Sequence, residues 1–136
     1  MSTLVDSNVL IDVIEMAEVW SEWSAARLAE AADLGEIIIN PIVLAETSMH
    51  FLDEDAYEAA AFARLTREQT PWEAAFRAGQ AHARYRRSGG MRERTLPDFL
   101  IGAHAAVKGH RLLTRDARRY RAYFPDLDII APDTHP

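Results

Sequence analysis

Residues 3–12 read TLVDSNVLID, so that an aspartate directly follows a short apolar run. The run at residues 3–5 predicts a strand, and residues 7–15 fit a helix, which leaves Asp6 at the point where the strand ends. In open sheets of parallel strands, ligands bind beyond the carboxyl ends of the strands. Asp6 is therefore a candidate functional residue. The alternative is that Asp6 serves only as the N-cap of the helix.

The rest of the chain alternates between short strand candidates and helical segments. Asn40-Pro41 and Thr70-Pro71 each predict an N-cap followed by proline in the first turn, and Gly109 is expected just after a helix. Further strands are predicted at residues 36–39, 111–114 and 128–130. Further helices are predicted at residues 21–34, 41–49, 53–65, 71–87 and 97–108. This alternation predicts a single α/β domain over residues 1–136, with a parallel sheet of four to five short strands sandwiched by helices.

The bulk composition is that of an ordinary globular protein. Of the 136 residues, 49% are hydrophobic and 26% are charged, and cysteine is absent, which excludes disulfides and thiolate metal sites. The N-terminal stretch has no basic region and is interrupted by acids, so it does not fit a signal peptide, and no stretch reaches the length of a membrane span. We expect a cytoplasmic protein with no membrane partner.

The net charge of -6 conceals a strong polarity along the chain. Residues 1–68 carry a net charge of -11, whereas residues 69–136 carry +5, almost all of it from arginine, which pairs readily with phosphate. A basic half of this kind is a candidate for RNA contact, although a solvated charged face has the same composition. The RNA-binding candidates are Arg84, Arg86, Arg87, Arg92, Arg94 and Arg115.

Two acids lie where a helix pattern demands apolar residues. Glu46 shares a helix face with Ile42, Val43 and Met49, and a carboxylate within an apolar stripe is costly unless it is paired or bound to a metal. Asp98 begins a helix that must be nearly buried, so its position raises the same question. For Asp98 a first-turn acid favoured by the helix dipole is an alternative, whereas Glu46 is mid-helix.

A fourth acid, Asp116, follows the strand predicted at residues 111–114, and it too could be a turn former. Together with Asp6, Glu46 and Asp98 it predicts a carboxylate cluster, which needs a counter-charge because two such groups about 4 Å apart repel by about 4 kcal/mol at an effective dielectric near 20. A hard divalent cation such as Mg²⁺ meets that need through oxygen ligands, and Zn²⁺ is the weaker choice. Asn8 and Thr114 are the candidate supporting residues.

Other residues of chemical interest have simpler interpretations. All five histidines are expected at the surface or in caps, and Asp12 and Glu15 are expected to face solvent. The tryptophans are expected to anchor the core or an interface. Trp20 and Trp23 exceed what a core of this size needs, so a homodimer is predicted.

Several of these motifs resemble a known family. LVDSNVLID at residues 4–12 resembles the opening of PIN-domain nucleases. LPDFLIGAHA at residues 96–105 and LLTRD at residues 112–116 resemble the VapC toxin branch of that family. The closing stretches YRAYFP and IIAP, at residues 120–125 and 129–132, are similar to the same branch. The resemblance spans nearly the whole chain, and all four acids occur in the family order.

The resemblance implies a parallel sheet between helices, an Mg²⁺ or Mn²⁺ cofactor, and endoribonuclease activity as the toxin of a toxin–antitoxin pair. It implies Asp6 and Asp98 as principal metal ligands, with Glu46 and Asp116 completing the pocket and Thr114 supporting it. It also implies homodimers and a cognate VapB-like antitoxin that blocks the site. Such a site hydrolyses RNA because the metal lowers the pKa of a bound water and neutralises charge on the scissile phosphate.

Three alternatives remain at this point. Within the enzyme class, the protein could be a housekeeping RNA-processing nuclease and not a toxin. A receiver-type signalling domain also pairs acids to bind Mg²⁺, but here the mid-chain acid lies on a helix, and no lysine follows a late strand because Lys108 is the only lysine. A catalytically silent RNA-binding module would have no use for four mutually repulsive carboxylates.

Overall fold

The fold is built on one sheet of five parallel strands. The computed structural model describes residues 1–60, 64–90 and 95–136. Within these ranges the strands are β1 (Thr3–Val5), β2 (Ile37–Ile39), β3 (Thr66–Arg67), β4 (Arg111–Leu113) and β5 (Ile129–Ile130). Their order across the sheet is β3-β2-β1-β4-β5, and all four pairings are parallel. The predicted α/β class and parallel sheet are confirmed.

Helices connect the strands and cover the sheet. In the described ranges they are α1 (Ser7–Ile14), α2 (Ser21–Leu34), α3 (Pro41–Ser48), α4 (Glu54–Ala59), α5 (Trp72–Arg87), α6 (Thr95–Lys108) and α7 (Arg118–Tyr123). None of these helices combines the length and the apolar character that a bilayer crossing requires. Strands β1, β2 and β5 are buried on both faces, and Leu4, Val5, Leu112 and Leu113 are each fully inaccessible. Such continuous burial is typical of parallel strands between helical layers.

Several predicted boundaries differ from the structure. Thr70 is not an N-cap: α5 is preceded by Pro71, whose extended backbone places it in the cap position without a side-chain hydrogen bond. Helix α6 begins at Thr95, two residues before Pro97, because proline is tolerated within a first helical turn. Helix α4 ends at Ala59, and the remainder of its predicted segment lies partly outside the described residues.

The strand order creates a switch point between β1 and β4. Within the sheet, β2 and β3 lie on one side of β1, and β4 and β5 lie on the other side of β1. The Asp6 amide donates to the Leu113 carbonyl at 2.9 Å, so the residues that follow β1 and β4 leave the sheet side by side. A crevice at such a switch point is where open α/β sheets bind ligands.

Close packing of α6 against α7 depends on a glycine. A Cβ atom on Gly102 would lie 2.8 Å from Phe124 Cε2 and 2.9 Å from Tyr120 Cδ1, both of them closer than real Cβ contacts allow. Gly102 therefore permits α7 to lie directly on α6. This contact brings the residues that follow Asp116 in sequence next to the beginning of α6, where Asp98 lies.

Candidate acidic site at the switch point

Asp6 is the buried centre of the site. Its side chain is only 4% exposed, and its Oδ2 accepts hydrogen bonds from Thr114 Oγ1 at 2.8 Å and from the Tyr120 hydroxyl at 2.9 Å. Burial raises the pKa of Asp6, and these two hydrogen bonds act in the opposite direction. Tyr120 is itself buried, and its pKa is raised well above its ordinary value, first by burial and then by the charge of Asp6. Its hydroxyl therefore stays protonated and donates a hydrogen bond to Asp6.

Glu46 is linked to Asp6 by one serine. Ser7, the first residue of α1, donates from Oγ to Glu46 Oε1 at 2.8 Å and lies 3.4 Å from Asp6 Oδ1. Glu46 lies on α3, the helix that follows β2. The start of α3 is capped by Asn40, whose Oδ1 accepts a hydrogen bond from the Val43 amide at 3.0 Å. Glu46, the mid-helix acid within the apolar stripe, thus lies near the end of β1.

Asp98 reaches the same place from the first turn of α6, and Arg119 of α7 pairs with it. Arg119 Nη1 lies 2.7 Å from Asp98 Oδ2. The pKa of Asp98 is raised to about 6, chiefly because of burial and then because of the negative charge of Asp6, and the charge of Arg119 opposes this shift. Glu46 raises it further. The structure therefore couples Asp6, Glu46 and Asp98 electrostatically.

Asp116 occupies a different position from the other three acids. It lies on the exposed turn after β4, where its amide donates to Thr114 Oγ1 at 3.1 Å. Within the described ranges its carboxylate accepts no hydrogen bond. Asn8 supports this turn, since its Oδ1 accepts from the Arg115 amide at 3.2 Å and its Nδ2 lies 3.4 Å from Thr114 Oγ1. The structure thus connects Asp116 to Asp6 only through Thr114, whose hydroxyl lies between the Asp116 amide and Asp6 Oδ2.

The expectation that Asp12 faces solvent is wrong. Asp12 is only 3% exposed. Its carboxylate accepts hydrogen bonds from Arg115 Nε at 2.9 Å and Nη2 at 3.1 Å, and from Ser24 Oγ at 2.8 Å. Arg115 also lies over the Trp20 ring, 5.5 Å from its centroid. The helix α1 packs against α2 on the face that carries Asp12, and an ion pair from the turn after β4 offsets the burial of its charge.

The other arginines proposed for RNA contact are only partly described. Arg84, Arg86 and Arg87 are exposed near the end of α5, and Arg84 lies 5.6 Å from the centre of the Tyr123 ring. Arg92 and Arg94 lie outside the described residues. The structure instead directs Arg119 into the acidic pocket.

Comparison with known proteins identifies the family. The model of the PIN domain matches residues 3–125, which is most of the chain. The chain belongs to the PIN domain family. PIN domains are nucleases and use divalent metals. Among curated proteins, no sequence matches the chain.

Solved structures that share the fold of this PIN domain come from toxin–antitoxin complexes. A chain of VapBC2 from Rickettsia felis bound to a promoter DNA fragment superposes with a TM-score of 0.71 at 18% identity, covering 96% of this chain and 98% of that chain. A chain of DNA-bound VapBC from Salmonella typhimurium superposes with a TM-score of 0.69 at 22% identity, covering 96% of this chain and 98% of that chain. A chain of FitAcB from Neisseria gonorrhoeae superposes with a TM-score of 0.68 at 20% identity, covering 98% of this chain and 99% of that chain.

The acidic pocket of this PIN domain, formed by Asp6, Glu46 and Asp98, has the oxygen donors that a divalent cation requires. These three carboxylates repel one another, Asp6 is nearly inaccessible to solvent, and Arg119 is the one cation that hydrogen-bonds to them in the described part of the chain. Their ligand atoms do not all lie within 4.8 Å of one another. Oxygen donors of this kind suit Mg²⁺ or Mn²⁺. Asp6, Glu46 and Asp98 could hold the ion.

A second cluster of metal-ligand types lies elsewhere in the domain, and the sequence interpretation missed it. His104 is fully buried and His110 is 8% exposed, so the expectation that both lie at the surface or in caps is wrong. Each donates from Nε2 to Glu68 Oε1, at 2.7 Å and 2.8 Å. The potential ligand atoms of these three residues lie within 4.8 Å of one another.

The far side of His104 argues against a metal at this cluster. Asn40 must turn its Oδ1 toward the Val43 amide to cap α3, so its Nδ2 amide group faces His104 Nδ1 at 3.1 Å. His104 Nδ1 therefore accepts a hydrogen bond, and the ring proton resides on Nε2, pointing at Glu68. Metal-bound histidines normally donate their other ring N–H to an acceptor, which is the reverse arrangement. The cluster is better described as a buried hydrogen-bond network.

Signals for the missed residues differ in strength. Arg119 and Tyr120 follow Asp116 by three and four residues, and nothing in their polarity marked them as inward-facing. His104 is expected at the surface or in a cap, but the part of α6 that carries it is buried. A helix enclosed on all sides leaves polar residues without a solvent face, and each then requires a partner.

Proposed function

We propose that this PIN domain is a metal-dependent endoribonuclease and the toxin component of a toxin–antitoxin pair. The observation that carries the proposal is the mutual repulsion of Asp6, Glu46 and Asp98 beside the switch point of a parallel sheet. A purely structural role would leave this repulsion uncompensated. A divalent cation and the phosphates of a substrate would compensate it.

In this proposal Asp6 and Asp98 are the principal ligands of Mg²⁺ or Mn²⁺, and Glu46 and Asp116 complete the pocket. When bound, the ion supplies charge neutralisation at the scissile phosphate and an acidic water for in-line attack. Thr114 and Asn8 hold the turn that carries Asp116. The exposed arginines at the end of α5 bind the RNA backbone and position it without reading its sequence.

Support for a toxin role comes from the comparisons, since all three structures described above are complexes of the VapBC or FitAB type. We propose a VapB-like antitoxin as the partner that blocks the pocket. Expression of the chain alone should arrest growth, and a small neighbouring reading frame should restore it. Growth arrest without an antidote gene, or no arrest at all, would favour a housekeeping RNA-processing nuclease.

We also propose a homodimer, but on a different surface from the one the sequence suggested. Trp20 and Trp23 contact each other edge to face, and Trp23 Nε1 donates to the His135 carbonyl at 2.6 Å, so both are engaged within the chain. Trp72 and Phe76, one turn apart on α5, are 93% and 69% exposed. Sedimentation of the wild type and of Trp72→Ser would test whether this face associates.

The decisive experiment for the reaction is cleavage of a total RNA pool with Mg²⁺ and then with EDTA, with both product ends mapped. Hydrolysis by a metal-activated water leaves 5′-phosphate and 3′-hydroxyl ends, whereas attack by the neighbouring 2′-hydroxyl leaves a cyclic phosphate. We expect 5′-phosphate ends and no cleavage in EDTA. Cyclic phosphate ends, or cleavage that survives EDTA, would contradict the proposal.

A further inference from the structure

The two oxygens of Asp6 have different surroundings. Oδ2 accepts from two buried hydroxyls, those of Thr114 and Tyr120, at 2.8 Å and 2.9 Å. A carboxylate oxygen that already accepts two hydrogen bonds has little capacity left for a metal. The second oxygen, Oδ1, is the one available to a ligand.

The Ser7 hydroxyl does not occupy Oδ1, although the Ser7 amide also hydrogen-bonds to the Asp6 carboxylate. Ser7 has one hydroxyl hydrogen, and its 2.8 Å contact with Glu46 Oε1 is a much better hydrogen bond than its 3.4 Å contact with Asp6 Oδ1. Asp98 shows the same division, because Arg119 occupies its Oδ2. The available oxygens of Asp6 and Asp98 are thus both Oδ1.

Tyr120 is rigidly held where it contacts Asp6. Its residue is 2% exposed, and its ring packs so tightly on α6 that no Cβ would fit at Gly102. Its hydroxyl is therefore already fixed next to Asp6 in the folded protein. Metal binding does not have to restrict this side chain further, as it would have to restrict a surface residue. Partners behind a ligand typically contribute 10–100-fold to metal affinity because they orient the ligand.

We propose that Tyr120 is a positioning residue, which together with Thr114 saturates Asp6 Oδ2 and so presents Oδ1 as a monodentate ligand to the divalent cation. The proposal rests on the metal-dependent function proposed above and adds to it a residue outside the four acids. In this role Tyr120 binds neither substrate nor metal. It acts through Asp6.

The test is Mn²⁺ binding to the RNA-free protein, followed by electron paramagnetic resonance, for the wild type and Tyr120→Phe. The variant removes one hydroxyl and keeps the ring that packs on Gly102. We expect about tenfold weaker Mn²⁺ binding. Cleavage should be slow at low Mn²⁺ and return to near the wild-type rate at saturating Mn²⁺, because the chemistry itself is unchanged.

The matched control is Tyr123→Phe, which removes a hydroxyl from the same helix. Tyr123 lies against Phe99 and Tyr85 and makes no contact with Asp6. Its Mn²⁺ affinity should equal that of the wild type. Thr114→Val removes the other donor to Oδ2 and should weaken binding to a similar extent, which keeps the test open if Tyr120→Phe folds poorly.

The outcomes separate the two proposals. If Tyr120→Phe and Thr114→Val bind Mn²⁺ as tightly as the wild type, the positioning role is overturned while the metal-dependent nuclease stands. If saturating Mn²⁺ does not restore cleavage although both variants remain folded, the hydroxyls serve the chemistry and the positioning role is equally overturned. If the wild type binds no Mn²⁺, the proposed function fails and this inference fails with it.

Discussion

The domain contains two clusters of metal-ligand side chains, and they differ in what lies behind the ligands. In the acidic pocket, hydroxyl donors stand behind Asp6 and leave its other oxygen open. In the histidine cluster, an amide donor stands behind His104 and directs the ring proton at Glu68. In the first arrangement, the lone pairs of Asp6 Oδ1 remain available to a cation. In the second, His104 Nδ1 already accepts a hydrogen bond and Nε2 carries a proton, so the ring has no lone pair to offer.

The number of potential ligands alone does not define a metal site. Glu68, His104 and His110 have the composition and spacing of a cation site, yet each contact is satisfied within the chain: His110 Nδ1 lies 2.5 Å from Ser2 Oγ, and His104 Nδ1 meets Asn40. Burial lowers the pKa of His104, which keeps it neutral and consistent with this network. The acidic pocket, by contrast, retains unbalanced charge.

Substitutions in the acidic pocket should have the largest effect on RNA cleavage, whereas substitutions in the histidine cluster should leave cleavage unchanged. Asp6→Asn or Asp98→Asn should reduce RNA cleavage by more than about 100-fold, beyond the 10–100-fold typical of losing a partner behind a ligand. Both variants should be at least as stable as the wild type in EDTA, because each relieves repulsion. Glu68→Gln should cleave normally once it is folded.

The control for these two variants must be chosen from the structure. Asp12→Asn is unsuitable because Asp12 is buried and paired with Arg115. Asp33→Asn, on the exposed face of α2, is the better control and should cut like the wild type. Wild-type activity of Asp98→Asn would refute the assignment of the acidic pocket.

A second change should convert the histidine cluster into a metal site. Asn40→Asp keeps an oxygen for the cap of α3 and replaces the amide donor by an acceptor, which allows His104 to carry its proton on Nδ1 and to free Nε2. In an Asp98→Asn background, Co²⁺ affinity measured by visible absorption should rise by about 10–100-fold. Equal Co²⁺ binding with Asn40 in place would show that the amide does not block the cluster.

The third effect concerns the cation inside the acidic pocket. Arg119 lies 2.7 Å from Asp98 and competes with a metal for its charge. Arg119→Met should therefore bind Mn²⁺ about tenfold more tightly, a change of about 1.4 kcal/mol at 25 °C. Tyr120→Phe, at the adjacent residue, should change affinity in the opposite direction. Weaker binding by Arg119→Met in calorimetry would mean that the ion pair orders the site.

The smallest expected effect is on the pH dependence of stability. The pKa of Asp98 is about 6 in the folded protein and 3.8 ordinarily, so the unfolded chain releases its proton first as the pH rises. The metal-free protein should accordingly lose stability from about pH 4 to pH 6. Asp6, whose pKa is also raised, acts in the same direction.

Melting temperatures in EDTA between pH 4 and pH 6 would measure this slope. Two groups act in the opposite sense. Burial lowers the pKa of His104, and although burial raises the pKa of Glu68, hydrogen bonds from His110 and His104 lower it overall, so the stability that both groups contribute is lost as the solution becomes more acidic. Asp98→Asn should show a smaller fall in melting temperature than the wild type. An identical fall in the two proteins would remove Asp98 as its cause.

Much of the fold could be predicted because its signals are local. The strand at residues 3–5 and the helix Ser21–Leu34 follow from apolar runs and periodicity, and Glu46 was recognised by its place in an apolar stripe. Strand β3 was missed because it has two residues, both polar, and pairs only with β2. Helix α7 was missed because six residues are too few to show a period.

Contacts between distant segments could not be predicted from local patterns. The Arg119–Asp98 pair, the Tyr120–Asp6 hydrogen bond and the Asp12–Arg115 pair each depend on how helices pack across the sheet. The same holds for His104, whose partners come from the segments that follow β2 and β3. Sequence polarity identifies residues that need a partner, and only the packing identifies the partner.

The most direct test of the account is to locate the metal. In the ¹⁵N-labelled wild type, substoichiometric Mn²⁺ broadens the amide resonances of residues near the bound ion. We predict that the amides of Ser7 and Thr114 broaden first, while those of Glu68 and His110 stay sharp, and that Asp98→Asn loses the effect. Broadening that begins at Glu68 and His110, and persists in Asp98→Asn, would contradict the account.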